Sequence, residues 1–448
     1  MSVCISKKTR HAAAVALAAA LAAGCTSADR ALQAAETSAD AAPFKPGATV
    51  ADTLRWHRDL PTDRTAWWDV VGEQQAWAFK NVHQIAPTVN VYRDGPVSEL
   101  RYRPMDEIAE HPVDTPDGEM GLLDFLHSEH STTMGLVIVH RGEIVFEAYP
   151  RMQRYQKPIF WSVTKAFVST VLAILEDRGE VDVSKPIEFY IPELEDSQLA
   201  GITVRNALDM ASGIDCPDDY ADSSACYNHY ESTMGDGLPM ENPEDTPYDM
   251  LINYDYGYWA DQGVGFDYSG ANTFLVGWVI EKVTGMPFQD VLTREVWRHM
   301  GAEADASIFA GRNGIPLTSG GLLANVRDVA RFGVLFTPSY QAVSEQKIIS
   351  DRYVDLILHG GRPELFENAR QRRRMPDARH NVYQWDVVFD NDDVYKGGWG
   401  GQALLINPER DYVAAYAGYF KDREHSEMSL LPVLRQVLDS VFGEGATP

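Results

Sequence analysis

Positive charge is what this sequence is shortest of. Lys and Arg number 39 against 65 Asp and Glu, a formal net charge of −26, and the pI is near 4.8. That balance excludes nucleic acid as a partner and excludes holding an anionic membrane through a basic face. It says nothing about substrate. A membrane-spanning run is missing too, because the apolar stretch Ala12 to Ala23 is too short to cross a bilayer. Metal-ligand spacing is also absent. His127-Ser128-Glu129-His130 is not His-Glu-x-x-His and reads as a solvated helix end, so neither metal nor cofactor is expected. No internal repeat is found. What remains is ordinary globular composition, 45% hydrophobic and 23% charged, in 448 residues that hold one large domain or two modest ones.

The N-terminus reads as a targeting segment. Lys7, Lys8 and Arg10 precede the apolar stretch, and Leu21-Ala22-Ala23-Gly24-Cys25 resembles a bacterial lipobox, with Ala22 where a larger aliphatic residue is usual. Residues 1–24 are therefore expected to be a signal peptide and Cys25 a lipidation site, so that the membrane is met only through acyl chains at the cell envelope. Ordinary secretion with cleavage near Ala23 is the alternative. Residues 25–49, rich in Ala, Ser, Thr and Asp, read as a disordered tether. Residues 50–116 form an N-terminal extension carrying Trp56, Trp67, Trp68 and Trp77, read as core packing rather than pocket lining. Residues 117–448 hold the main domain. Only 4 cysteines occur. With Cys4 in the leader and Cys25 at its end, Cys216 and Cys226 remain as a disulfide pair, or as two buried thiols.

Chemistry gathers around Phe160-Trp161-Ser162-Val163-Thr164-Lys165. Apolar residues at 167, 168, 171, 172, 174 and 175 predict a helix stopped near Gly179. Ser162 then falls at or near the N-cap, and Lys165 shares its face at i, i+3. A serine hydroxyl needs a base within hydrogen-bond reach. A lysine can serve if the helix dipole, a second cation or burial disfavours its charge. The first-turn N–H groups could hold an oxyanion. Ser344-Glu345-Gln346-Lys347 repeats the spacing but lies in a polar stretch, so it is discounted. No Gly-x-Ser-x-Gly occurs, which excludes the α/β-hydrolase solution.

Around this centre, Met134–His140 and Glu143–Tyr149 read as a hairpin turned at Arg141-Gly142. Residues 121–127 read as a short helix, and Thr203 as the cap of a helix ending at Ser212-Gly213. Phe274–Val283, Phe288–Met300 and Arg327–Leu335 read as apolar helices. Val382–Phe389, Gln402–Asn407 and Asp411–Phe420 read as strands, and Glu427–Phe442 as a last helix. The fold class is thus α/β in the α+β sense, with one antiparallel sheet built from both chain ends, flanked by helices, and a mostly helical middle. The acidic, aromatic stretch 214–262 is expected to be a pocket wall. Six arginines in 362–380 (Arg362, Arg370, Arg372, Arg373, Arg374, Arg379) are expected to be a solvated loop, an anionic-substrate site being the alternative.

Two further stretches complete the set. Tyr268, in Asp267-Tyr268-Ser269-Gly270-Ala271-Asn272, could relay a proton if cations stabilise its phenolate. Lys396, in Lys396-Gly397-Gly398-Trp399-Gly400-Gly401, would supply one such cation, and its glycines permit close backbone approach. In this order Ser-x-x-Lys, Tyr and Lys-Gly-Gly resemble the serine β-lactamase and penicillin-binding protein superfamily. The similarity leans to class C β-lactamases, family VIII carboxylesterases and 6-aminohexanoate-dimer hydrolases, and spans roughly residues 117–448. The resemblance implies a β-lactamase/transpeptidase-like fold. It also implies Ser162 as nucleophile, Lys165 as its base, Tyr268 as proton shuttle, Lys396 beside them, and the N–H groups of Ser162 and Trp399 as oxyanion hole. Gly397, Gly398, Gly270 and Asn272 are then the positions facing substrate. The family's Asn two residues after the tyrosine is Gly270, with Asn272 two residues late, and its hydroxyl residue after the lysine is Gly397. Each lost hydrogen bond is worth roughly 1–3 kcal/mol, which counts against β-lactams and D-Ala-D-Ala. The expectation is an exported serine hydrolase of small esters or amides. A β-lactamase or D,D-peptidase, and a catalytically silent envelope binding protein, are the alternatives.

Overall fold

A computed structural model describes residues 49–59, 67–220, 225–234, 246–311, 313–370, 375 and 377–443. The leader, Cys25 and all of the expected tether but its last residue lie outside them. So do Asp222, Asp236, Glu241, Glu244 and Asp245 of the acidic stretch and Arg372, Arg373 and Arg374 of the basic one.

Eight strands make the main sheet: β1 (Arg101–Tyr102), β2 (Gly135–His140), β3 (Glu143–Ala148), β4 (Ala378–Val382), β5 (Trp385–Phe389), β6 (Val394–Gly398), β7 (Gln402–Asn407) and β8 (Tyr412–Ala417). Their spatial order is β1-β3-β2-β8-β7-β6-β5-β4. The two chain ends meet at β2 and β8, which pair antiparallel with Val139 opposite Val413. One pair departs from the antiparallel expectation: β1 runs parallel to β3.

Every residue of β2, β7 and β8 is buried, because helices cover both sheet faces. The period of two divides the strands between two cores. Leu136, Ile138 and Ala414 pack with Phe125, Leu434 and Leu438. Val137, Val139 and Val413 pack with Phe167 and Phe332. The helices that matter for the site are α1 (Thr164–Asp177), α2 (Gly270–Thr284), α3 (Val326–Val334) and α4 (Leu430–Phe442). Helix α1 is buried nearly all round, as a helix at the centre of a molecule must be.

Local chemistry explains the boundaries. Arg141 and Gly142 both take positive φ (50° and 75°) in the two-residue turn of the β2–β3 hairpin. Thr203 accepts from the Asn206 N–H and caps Val204–Leu208. Gly285 closes α2 in the left-handed conformation. Two expectations are corrected. The strand read at Val382–Phe389 is broken by Tyr383 and Gln384, both at positive φ, into β4 and β5. The helix read at Phe288–Met300 ends at Glu295, and a separate turn follows at Trp297–His299. A three-stranded sheet of Thr88–Val91, Ala306–Phe309 and Leu322–Leu323 was not anticipated; its strands are four residues or fewer, too short to show a period.

Candidate active site

Ser162 lies in a single 3-10 turn, Trp161–Val163, that leads into α1. The cap position belongs to Val163, and no side chain caps the helix. The serine hydroxyl is therefore not spent on capping. Trp161, just before it, takes a φ of 45°, a conformation that strains a bulky residue. Packing holds it there, with Trp67, Trp68 and Phe79 at ring separations of 5.6, 6.1 and 5.6 Å. Thr164 pins the turn from below. Its hydroxyl donates to the Trp161 carbonyl (2.6 Å) and accepts from the Leu322 N–H (3.0 Å).

Lys165 donates from Nζ to Ser162 Oγ at 3.2 Å and to the Ser319 carbonyl at 2.5 Å. It is 1% exposed, and burial of this kind disfavours an ammonium. Tyr268 lies across the site with both lysines against it. Lys165 Nζ is 5.0 Å from the ring centroid and Lys396 Nζ 4.8 Å, and Lys396 also donates to Tyr268 Oη at 3.1 Å. Lys396 is fully buried on β6, which corrects the alternative of a surface lysine. Its carboxylate partner is Asp386 on β5, at 2.5 Å. The other Asp386 oxygen accepts from the Gly397 N–H at 3.0 Å. The second Ser-x-x-Lys pattern makes no such cluster. Ser344 donates to the Gln346 carbonyl, and Lys347 pairs with Asp351 at the surface.

Trp399, in the β6–β7 turn, lines the same cleft as Ser162. A Cβ on Gly398 would fall 2.4 Å from the Phe160 carbonyl oxygen and 3.3 Å from the Ser162 nitrogen. The glycine thus lets the protein's own backbone close on the nucleophile turn, rather than making room for substrate. Gly400 is likewise required, at φ 78° against the Phe79 ring. Asn272 is 1% exposed in the first turn of α2, and the Gly270 N–H donates to Asp218 Oδ1. A Cβ at 270 would lie 3.2 Å from that oxygen. A side chain at 270 would press on the Asp218 carboxylate, which must then give by a few tenths of an ångström.

Ser162 opens on a narrow cleft lined by Trp68, Trp161, Lys165, Asp218, Tyr220, Tyr227, Glu231, Ser319 and Trp399 among others. Trp68 comes from the N-terminal segment, so core packing alone does not describe its tryptophans. Trp68 and Tyr220 pack on Trp399 at 5.9 and 4.6 Å. Cys216 and Cys226 are joined by a disulfide, which closes the chain segment carrying Asp218 and Tyr220. Glu231 is 4% exposed, and burial, followed by the charge of Asp218, pushes its carboxyl up to about 8. Beside Tyr268, burial pushes Asp267 up to about 6, against the pull of Arg370. The described arginines of 362–380 pair with acids. Arg362 pairs with buried Asp209 (3.0 Å), Arg370 with Asp215 (2.6 Å), and Arg379 with Asp392 (2.5 Å). They are neither merely solvated nor part of the cleft wall. His127 ends a helix as expected, and His130 pairs with Asp117.

Asp386, Ser319 and the cleft position of Trp68 escaped the sequence reading, whereas Asp218, Tyr220, Tyr227 and Glu231 of the stretch 214–262 line the cleft as the expected wall. Only Asp386 left a trace, since it and Lys396 sit symmetrically about one hairpin turn.

The sequence family described as Beta-lactamase matches residues 122–428, more than half of the chain. The chain belongs to the β-lactamase family. Within that family it is similar to the 6-aminohexanoate-dimer hydrolase of Paenarthrobacter ureafaciens, 28% identical over 340 residues that cover 75% of this chain and 83% of the relative. Among solved structures it is similar to "Putative 6-aminohexanoate-dimer hydrolase from Bacillus anthracis", with a TM-score of 0.71, 19% identity and coverage of 85% of this chain and 96% of the other. It is also similar to "EstCE1, a hydrolase with promiscuous acyltransferase activity", with a TM-score of 0.54, 14% identity and coverage of 70% and 95%. These two structures share the fold. The β-lactamase-family protein is an enzyme, a serine hydrolase.

Proposed function

We propose that the protein cleaves small amides or esters through an acyl-enzyme on Ser162. The observation that carries this reading is the 3.2 Å contact between Ser162 Oγ and a buried lysine, Lys165. Lys165 takes the hydroxyl proton as Oγ attacks the carbonyl carbon. The oxyanion forms between the N–H groups of Ser162 and Trp399. Tyr268, held by Lys396, passes a proton to the departing amine or alcohol and then takes one from the water that releases the acid. The oxygen of that water ends in the acid, and Ser162 regains its proton.

Substrate class follows from the wall. Asp218 and Glu231 place two interacting carboxyl groups in the cleft lining, and an ammonium on the substrate would meet them there. With the name of the Paenarthrobacter relative, this supports linear amides of ω-amino acids. The absence of an amide side chain at Gly270 counts against β-lactams. We further propose export, with the leader removed and Cys25 lipidated, residues 25–49 as a tether, and residues 117–448 as the catalytic domain.

The test is intact-mass spectrometry after brief exposure to a nitrophenyl ester, alongside steady-state kinetics. An acyl adduct on the wild type alone, and a loss of at least ~10³ in kcat for Ser162→Ala, are expected. A Ser162→Ala protein with wild-type activity sinks the reading. Equal turnover of the 6-aminohexanoate dimer and its N-acetylated form would remove the ammonium subsite while leaving the nucleophile intact.

A further inference from the structure

The cross-strand partner of Lys396 is the group that the reaction above leaves unused. β5 and β6 pair with Val387 opposite Tyr395 and Val388 opposite Val394, and the same register sets Asp386 opposite Lys396. Asp386 spends both carboxylate oxygens on this one strand, one on Lys396 Nζ at 2.5 Å and one on the Gly397 N–H at 3.0 Å. Lys396 is 0% exposed and Asp386 8%. On the other neighbouring strand Lys396 faces Leu404, which offers no charge. Tyr268 Oη receives Nζ at 3.1 Å from the loop ahead of α2. Lys165, from α1, lies on the same ring at 5.0 Å. Behind the tyrosine, Asp267 is paired with Arg370, itself on Asp215.

A buried ammonium without a counter-ion gives up its proton. A neutral Lys396 could no longer stabilise a phenolate on Tyr268. We propose that Asp386 is a positioning residue of the reaction: its carboxylate keeps Lys396 an ammonium and aims it at Tyr268 Oη. This rests on the roles given to Tyr268 and Lys396 above. The second bond, to the Gly397 N–H, extends the effect. It fixes the backbone two residues before Trp399, and so couples the lysine's position to the strand that closes over Ser162.

The experiment measures kcat and KM for a short nitrophenyl ester across pH in Asp386→Asn, Asp386→Glu, Lys396→Met and the double variant Asp386→Asn/Lys396→Met. Asp386→Asn should lower kcat by about 10–100-fold with KM changed by less than about threefold. Its alkaline activity limb should move to lower pH, because the ammonium is lost sooner. Asp386→Glu should regain part of both. A purely structural role would lower the melting temperature and leave the limb of the folded enzyme in place, and that result overturns the proposal. Should Asp386→Asn fail to fold, the double variant decides, since removing both charges leaves none buried alone. No loss beyond that of Lys396→Met is expected, and a further loss of tenfold or more overturns the proposal. Wild-type kcat in Lys396→Met would instead sink the role of Lys396, a failure distinct from Asp386→Asn being inert while Lys396→Met is slow.

Discussion

Single residues decide how this site titrates. Glu231 is held protonated by burial and by Asp218, at about 8 against 4.5 for an ordinary glutamate, while Tyr227 and Lys165 pull the other way. A carboxyl raised in the folded state binds more protons there than in the unfolded chain, so stability falls as pH rises. The stabilisation is complete below about 4.5 and is lost as pH passes through about 8. Glu231→Gln keeps the shape without the titration. Relative to the wild type its melting temperature should climb between pH 5 and 8 and level off above. A parallel course for the two proteins would show that Glu231 is ionised throughout. Trp161 makes a second point at this scale. Its positive φ aims the next residue, Ser162, into the cleft, and three aromatic rings offset the strain.

Among the elements, the segment from Cys216 to Cys226 carries the wall, while the nucleophile, base and tyrosine sit on α1 and the approach to α2. The bond spans 10 residues, and closing such a loop is worth roughly 2–3 kcal/mol. Cys216→Ser/Cys226→Ser should lose that much in denaturant melts. It should also raise KM for an amide substrate more than it lowers kcat, because Asp218 and Tyr220 are loosened while Ser162 and Lys165 are not. An unchanged KM would mean that Trp68 and Trp399 hold the wall without the disulfide.

Across the whole molecule, the N-terminal segment is tied to the catalytic fold by buried charge. Arg327 of α3 bonds both oxygens of Glu147 on β3 (2.8 and 2.6 Å), and Tyr102 of β1 donates to the same carboxylate at 2.8 Å. The Glu147 side chain is 0% exposed and that of Arg327 6%. Removing Arg327 leaves the buried Glu147 carboxylate without this counter-charge, so Arg327→Ala should destabilise by about 3–5 kcal/mol. Arg327→Met/Glu147→Gln should recover most of it. Equal losses in the single and double variants, read from chemical denaturation, would show that the ion pair itself matters little.

Much of this protein is local and so could be read from its sequence. The hairpin at Arg141-Gly142, the cap at Thr203, the stop at Gly285 and the face shared by Ser162 and Lys165 each depend on residues within a turn or two. The order of Ser162, Tyr268 and Lys396 pointed to the family because their types and spacing survive without coordinates. Other features exist only where distant segments meet. Trp68 reaches Trp161 across more than ninety residues of chain, and Glu231 titrates high because folding removes it from water beside Asp218. Arg362, Arg370 and Arg379 pair with Asp209, Asp215 and Asp392, partners that no local pattern marks. Asp386 is one acidic residue among 65 Asp and Glu until β5 pairs with β6. Local pattern sets the elements, because turns and periodicity are short-range; burial and charge pairing are long-range, and only tertiary structure decides them.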